Sequence, residues 1–387
     1  MDYRWLSHSV GRVTIRFQGK GRALAGRAVI ALIMVGALVT CGWLLIKPPP
    51  QNTPVAAATV PEAAKGNAQT GSAPSVLQVS APVQAQAPQQ DKSELEKWAA
   101  GLSGPLDVPE RALIGYATGE LTLRQEQPNC HLSWVTLAGI GKASSDHGRF
   151  GGGSLNPDGT AVKPLGAVPL QGAAGEAASA GRSGPMQLTG AEWKRGQGSV
   201  QDIDDASVAA GRTLCGSGDL QAGQNWWKAI ADYRDSDLFR QQVLGNAQLY
   251  ATLSLAPQTA SAPSTRAVRF ALGQLGLPYV WGGNGPDAGA AGFDCSGLTK
   301  AAYDSAGVAL PRTADSQFRT EPAVPNTEAP KMGDLVFYGS PATFIHHVGL
   351  YLGNGLMINA PQTGMAVQIA TYHVRGDDYA GAARPAG

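Results

Sequence analysis

The sequence predicts a multi-domain chain: an N-terminal transmembrane helix, an α-helical domain and a C-terminal α+β domain. Three observations carry this expectation. Ala28 to Ile46 is an unbroken uncharged run behind a basic N-terminus. From about residue 91 to 251 apolar residues recur at the helical period, with almost no strand signal. Past residue 263 the texture becomes a helix followed by short apolar strands between Gly turns. A length of 387 residues leaves room for two or three domains.

Residues 1–27 hold Arg4, Arg12, Arg16, Lys20, Arg22 and Arg27 against one acid, Asp2, and read as a cytoplasmic basic segment. The run 28–46 is about the length that spans a bilayer core. Basic residues before it place that end inside and everything after Lys47 outside. The rival reading is a cleaved signal peptide, with an apolar region of roughly 7–15 residues and a small-residue cleavage site. The run instead ends in Trp43-Leu44-Leu45-Ile46-Lys47-Pro48. Residues 47–90 are Pro-, Ala- and Gln-rich and are expected to form a disordered linker. Its full reach is on the order of 145 Å, enough to work within a wall. A net charge of +1 offers nucleic acid no general attraction, and none is expected as a partner.

In the helical domain, taken as 91–255, Pro109 opens one helix at a first-turn position. Leu132 to Gly141 is apolar on most sides and so reads as buried. A Gly-rich loop, roughly 148–184, precedes helices near 204–214, 226–233 and 236–250. Residues 256–263 read as a second linker. Of four cysteines, Cys41 lies in the apolar run. Cys130 and Cys215 are candidates for a disulfide in an extracytoplasmic compartment. Cys295 is left over, and catalysis is the simplest explanation of an odd thiol there.

In the C-terminal domain, 264–387, the helix begins at Asp294-Cys295-Ser296-Gly297-Leu298 and stops at Gly307. Cys295 then sits in a first helical turn, where the dipole favours a thiolate nucleophile. A base must come from His346, His347 or His373. Adjacent strand residues face opposite ways, so only one of His346 and His347 can point at the thiol. Asn359 is the one polar side chain of the strand Leu356 to Asn359. A two-residue Asn354-Gly355 turn alone puts Asn359 on the face of His346. His347 and Asn359 share a face only if the loop holds an odd number of residues or a bulge intervenes. A cysteine on a helix, then His and Asn on successive strands, is a thiol-protease order.

The motifs Pro278-Tyr279-Val280-Trp281-Gly282-Gly283, Phe293-Asp294-Cys295-Ser296-Gly297-Leu298, Leu310-Pro311-Arg312-Thr313, Gly333-Asp334-Leu335-Val336-Phe337 and His347-Val348-Gly349-Leu350-Tyr351-Leu352-Gly353 resemble the NlpC-type murein peptidases. The resemblance spans residues 264–370. It implies a papain-like fold and cleavage of wall stem peptides, typically after a γ-linked D-glutamate. It makes Cys295 the nucleophile, His347 the base and Asn359 the third polar residue, with Tyr279, Asp294 and Ser296 lining the groove. It implies no cofactor and no metal.

Residues 109–250 resemble lysozyme-like soluble lytic transglycosylases of actinobacterial type. The matching pieces are Leu137 to Lys142, His147 to Gly152, Gly184-Pro185-Met186-Gln187-Leu188 and the helix Trp226 to Tyr233. Cys130 and Cys215 stand where such proteins carry a pair. The family's general-acid Glu falls on Ser144, and a serine hydroxyl cannot protonate a glycosidic oxygen at neutral pH. The family's Tyr-Asn pair reads Tyr233-Arg234, and the loop before Gly184 keeps only Glu176. These departures imply a domain that binds glycan without cutting it; Asp146, Glu120 and Glu176 remain as relocated-acid candidates. Three readings of the whole follow: a membrane-anchored wall endopeptidase acting on peptidoglycan, a bifunctional cutter of glycan and peptide, or a non-catalytic envelope scaffold.

Overall fold

A computed structural model of the protein describes residues 73–81 and 92–385. The expected basic segment 1–27 and apolar run 28–46 lie outside the described residues, as does most of the expected linker 47–90. Among the described residues no helix is long and apolar enough to cross a membrane.

The helical region contains α1 (Lys92–Leu106), α2 (Glu110–Glu126), α3 (Trp134–Ser145), the single turn α4 (Gly190–Trp193), α5 (Ile203–Leu214), α6 (Gly223–Tyr233) and α7 (Asp237–Leu255). The apolar α3 is buried along almost its whole length, as its composition requires. Its glycines are close approaches: a Cβ on Gly139 would strike the Val243 carbonyl of α7, and one on Gly141 the Tyr116 hydroxyl of α2. Side chains start the neighbouring helices. Asp202 accepts from the N–H groups of Asp204 and Asp205 at α5, and Ser236 accepts from Phe239 N–H at α7. A disulfide joins Cys130 to Cys215, with Cα atoms 5.3 Å apart. Among the described residues of this half, the sheet structure is the hairpin β1 (Arg182–Ser183) and β2 (Leu188–Thr189).

The α+β domain contains α8 (Pro263–Gly273), α9 (Cys295–Ser305) and α10 (Ala314–Thr320). Its strands are β3 (Leu335–Ser340), β4 (Phe344–Gly353), β5 (Leu356–Asn359), β6 (Gln368–Thr371) and β7 (Tyr379–Ala383). The strands form one antiparallel sheet in the order β6-β5-β4-β3-β7. Leu298 and Ala302 of α9 are fully buried in the core that also holds Val348 and Leu350 of β4.

Two linker expectations are corrected. Residues 256–263 are a 3₁₀ turn at Pro257–Thr259 and a three-residue turn leading into α8, with Pro263 at its first position. No flexible gap separates the halves: α7 packs on β4 and β6, and one apolar core runs through both. Composition suggested a linker because Ala, Pro and Ser also make tight helical corners. Residues 73–81 are not loose chain either. They lie extended across both halves, with Val76 and Ala81 buried. Asn354 donates to the Ser75 carbonyl, Leu77 N–H donates to Gln248 Oε1, and Ser133 donates to the Val79 carbonyl. A Pro- and Ala-rich segment has no helical or strand period, so its backbone pairing with side chains leaves no pattern to read.

Candidate active site

Asp294 caps α9: its Oδ1 accepts from Gly297 N–H at 2.6 Å. Its Oδ2 accepts from Gly282 N–H at 3.0 Å, which ties the Tyr279-to-Gly283 loop to the helix start. Arg312 closes the cluster. It donates to both Asp294 oxygens, at 2.9 and 2.7 Å, and to Ser296 Oγ at 3.1 Å. The fork-to-fork geometry fixes a nearly buried carboxylate next to the thiol. Gln317 of α10 holds the Ser296 carbonyl and accepts from Thr299. Arg312 and Gln317 had no role assigned from sequence. The signal was present in Leu310-Pro311-Arg312-Thr313, where Pro311 and the α10 cap Thr313 position the arginine.

Cys295 is a free, buried thiol at the first position of α9. Its Sγ lies beside the β4 backbone and is directed at the His346 carbonyl at 4.0 Å. Burial raises its pKa, and the Asp294 charge acts the same way. N–H groups of Val348 and Ser296 oppose them without prevailing. Half-buried Tyr279 is pushed up to about 12 by burial, then by the negative charges of Cys295 and Asp294.

His347 and Asn359 face each other. Asn359 Nδ2 is 3.0 Å from His347 Nε2, and Asn359 Oδ1 is buried with no partner. A half-turn of the amide exchanges these two atoms and gives Nε2–H an oxygen acceptor. Nδ1 is then the nitrogen left to take a proton. The shared face comes from a bulge. The turn is the two-residue Asn354-Gly355, with both φ positive, and Gly353 pairs with Leu356. Leu352 is the extra residue, because Tyr351 pairs with Met357 and Leu350 with Ile358. Burial pushes His347 down to about 4. His346 adds to that, and Asp378 opposes it. The Tyr338 ring sits 5.6 Å from the imidazole. His346 points away and bonds Asp378 at 2.6 Å, and His373 bonds Asp377.

The thiol and imidazole are therefore both neutral at rest. Such a pair can pass a proton from sulfur to Nδ1 as the thiol attacks a carbonyl, with Asn359 holding the ring.

The corresponding positions of the helical region look different. Ser144 is 1% exposed, and its Oγ has no hydrogen-bond partner. Burial would raise Asp146, but hydrogen bonds from Arg149 and Lys142 prevail and hold it down to about 2. Glu120 is buried and accepts from the N–H groups of Trp134 and Ala81, capping α3 from α2. Glu176 accepts from Ser236 Oγ. Tyr233 is buried and donates to the Met186 carbonyl, while Arg234 lies over the Phe239 ring. The 148–184 loop packs inward through Leu165, Val168 and Leu170, with Gln187 bonding Val168 N–H and the Gly166 carbonyl.

Comparison with known proteins bears mostly on the α+β half. Residues 276–379 match the NlpC/P60 family. The chain is 37% identical to the peptidoglycan endopeptidase RipA of Mycobacterium tuberculosis over 122 residues, 29% of this chain and 25% of that protein. It is 44% identical to the peptidoglycan endopeptidase RipB of M. tuberculosis over 117 residues, 28% of this chain and 46% of that protein. It is 37% identical to the bifunctional muramidase/DL-endopeptidase CwlT of Bacillus subtilis over 149 residues, 38% of this chain and 43% of that protein. The chain thus spans less than half the length of each of these relatives. A solved NlpC/p60 domain of the peptidoglycan hydrolase SagA is 34% identical, with 31% of this chain and 97% of that one covered and a TM-score of 0.27. At its C-terminal end, over residues 276–379, the chain carries a domain of the NlpC/P60 family, a family of cysteine peptidoglycan endopeptidases.

Proposed function

We propose that the protein is a wall endopeptidase that cuts peptidoglycan stem peptides at a D-γ-glutamyl linkage, with Cys295 as nucleophile, His347 as base and Asn359 as its orienting partner. The observation that carries this reading is the His347–Asn359 contact at 3.0 Å on a strand whose backbone adjoins the thiol. His347 takes the thiol proton as sulfur bonds to the peptide carbonyl carbon. First-turn N–H groups of α9 are positioned to stabilise the oxyanion. The imidazolium then protonates the departing amine, and water releases the acyl group. Tyr279, Asp294 and Ser296 line the groove, with Asp294 and Ser296 fixed by Arg312.

The helical half, taken as lysozyme-like, binds or positions glycan and does not cut it. The sealed Ser144, the strongly acidic Asp146 and the engaged Glu120 support this. A second reading, a cutter of both glycan and peptide, draws on the printed name of the CwlT relative. Residues 28–46 anchor the chain in the membrane, with the folded part outside.

Digestion of purified wall fragments by the full chain, with mass analysis, tests these readings. Wild type is expected to release cut peptides and leave glycan intact, and Cys295→Ala to release neither. Glycan cleavage that persists in Cys295→Ala and disappears on Asp146→Asn favours the second reading.

A further inference from the structure

The strip that leads into the candidate site has an outer edge that its own domain does not finish. Along residues 365–369 alternate backbone groups face away from β5. Tyr279 N–H donates to the Met365 carbonyl at 2.8 Å. Val367 exchanges bonds with Gly276 and Leu277, its carbonyl accepting from Gly276 at 2.9 Å and its N–H donating to Leu277 O at 2.8 Å. The next outward group is Ile369 N–H. Its acceptor is Gln241 Oε1 of α7, at 2.7 Å, from the helical half. Without that oxygen, the edge strand β6 would carry an unpaired donor in a packed junction.

The strip matters because of what it abuts. Gln368 pairs with Asn359 and Ile369 with Ile358, so β6 fixes the backbone that presents the Asn359 amide to His347. The helical half also grips the chain that flanks this strip. Gln242, next to Gln241, braces the 171–174 loop of its own half by donating to the Gln171 carbonyl at 2.5 Å, and from that loop Ala173 N–H donates to the Gly273 carbonyl at the end of α8, at 3.1 Å. A Cβ on Gly276 would strike Ala174, and one on Gly245 would strike both Leu272 and Ile369. The helical half therefore holds two parts of the site rim, the 276–279 segment carrying Tyr279 and the β6 segment behind Asn359.

We infer that Gln241 is a positioning residue of the Cys295 centre, acting across the domain junction through β6 and Asn359. It touches neither substrate nor thiol. It completes the hydrogen bonding of the strand on which the His347–Asn359 geometry depends. The helical half is in this sense a structural part of the peptidase site, whatever its own ligand.

This inference rests on Cys295 being the working nucleophile, and its test needs no wall substrate. The full chain is alkylated with iodoacetamide at pH 7, and the rate at Cys295 is compared among variants. Gln241→Leu removes the acceptor at similar volume, and Gln241→Glu keeps an acceptor oxygen. Gln241→Leu is expected to slow alkylation about fivefold, Gln241→Glu to stay within about twofold of wild type, and Asn359→Ala to slow it more. In the Asn359→Ala background, Gln241→Leu should add little, because both act through one contact. Thermal midpoints are read alongside. Two results would overturn the inference: a wild-type alkylation rate in Gln241→Leu, with or without a lowered midpoint, or a full fivefold effect retained in Asn359→Ala. A wild-type chain that alkylates normally yet cuts no wall fragment would refute the proposed function and leave this test intact.

Discussion

Among the described residues two imidazoles are withdrawn from solvent, His147 fully in the helical half and His347 partly in the α+β half, and they differ in how many ring nitrogens are engaged. His147 sits just past the end of α3 and is fully buried. Its Nδ1 meets the Tyr116 hydroxyl at 2.9 Å, and its Nε2 meets the Tyr250 hydroxyl at 2.9 Å. His347 sits on β4, and only its Nε2 is engaged, by Asn359. Burial pushes both below the ordinary imidazole range. A depressed pKa therefore does not separate a structural histidine from a chemical one. The open nitrogen beside a nucleophile does. The same contrast holds between helix ends. Cys295 occupies the start of α9, while Ser144 is sealed in the last turn of α3.

The largest expected effect breaks the chemical side alone. Cys295→Ala should lower peptide cleavage on the order of 10⁵-fold, with the thermal midpoint within a few degrees of wild type. Retained cleavage would mean that the nucleophile lies elsewhere. Next come the histidines as a pair. His347→Gln should cost cleavage nearly as much. His147→Gln should leave cleavage within about threefold while lowering stability by about 2 kcal/mol, because two tyrosine hydroxyls lose their partner. Loss of cleavage in a stable His147→Gln protein would overturn the distinction.

A smaller effect concerns protonation. The Cys295 thiol is raised and His347 lies near 4, so both are neutral between about pH 5 and 7. Iodoacetamide should react slowly there, with a rate that is still climbing above the ordinary thiol value of about 8.5, because the raised thiol ionises later. A fast plateau at pH 5–7 would reveal a resting ion pair and refute the neutral one. The stability sign follows from the same value. His347 is depressed relative to its unfolded value near about 6.5, so its contribution is complete above that pH. It falls away as pH drops to about 4, and His347→Gln should flatten that part of the midpoint–pH curve.

The smallest expected change is at Asp146→Asn. The group sits between Lys142 and Arg149, each already shared with solvent, so no more than about 1 kcal/mol of stability should be lost. The glycan products should not change, and any change there would restore Asp146 as an acid.

Much of the α+β half was legible because its chemistry is local. Asp294 caps its own helix, Gly307 adopts a positive φ just past its end, and β4 and β5 flank an Asn-Gly turn. The His347–Asn359 pairing was readable only as a condition, since a one-residue slip exchanges faces and the bulge at Leu352 has no signature of its own. β6 and β7 went unread. Gln368-Ile369-Ala370-Thr371 is short and half polar, and its partners include residues far along the chain, such as Gln241. In the helical half the sequence located α3, α5, α6 and α7 to within about five positions and the start of α2, but α1 and the single turn α4 were not singled out. The inward packing of the 148–184 loop left no such trace, because its few buried apolar residues, Leu165, Val168 and Leu170, follow no regular period among mostly exposed Gly, Ala and Pro residues. Arg312 lay inside a quoted motif, but its bond to Asp294 joins residues 18 apart through a turn that sequence alone does not orient.

The shared core also limits how such a chain can be recombined. Protein halves joined by a floppy spacer can be exchanged or deleted with little penalty. Here, removing the helical half would uncover Leu272 and Ile369 and leave β6 as a bare sheet edge. An edge of that kind recruits strands from other molecules and favours aggregation. A shortened version carrying only the C-terminal half should therefore meet its first difficulty in solubility, before any question of turnover arises.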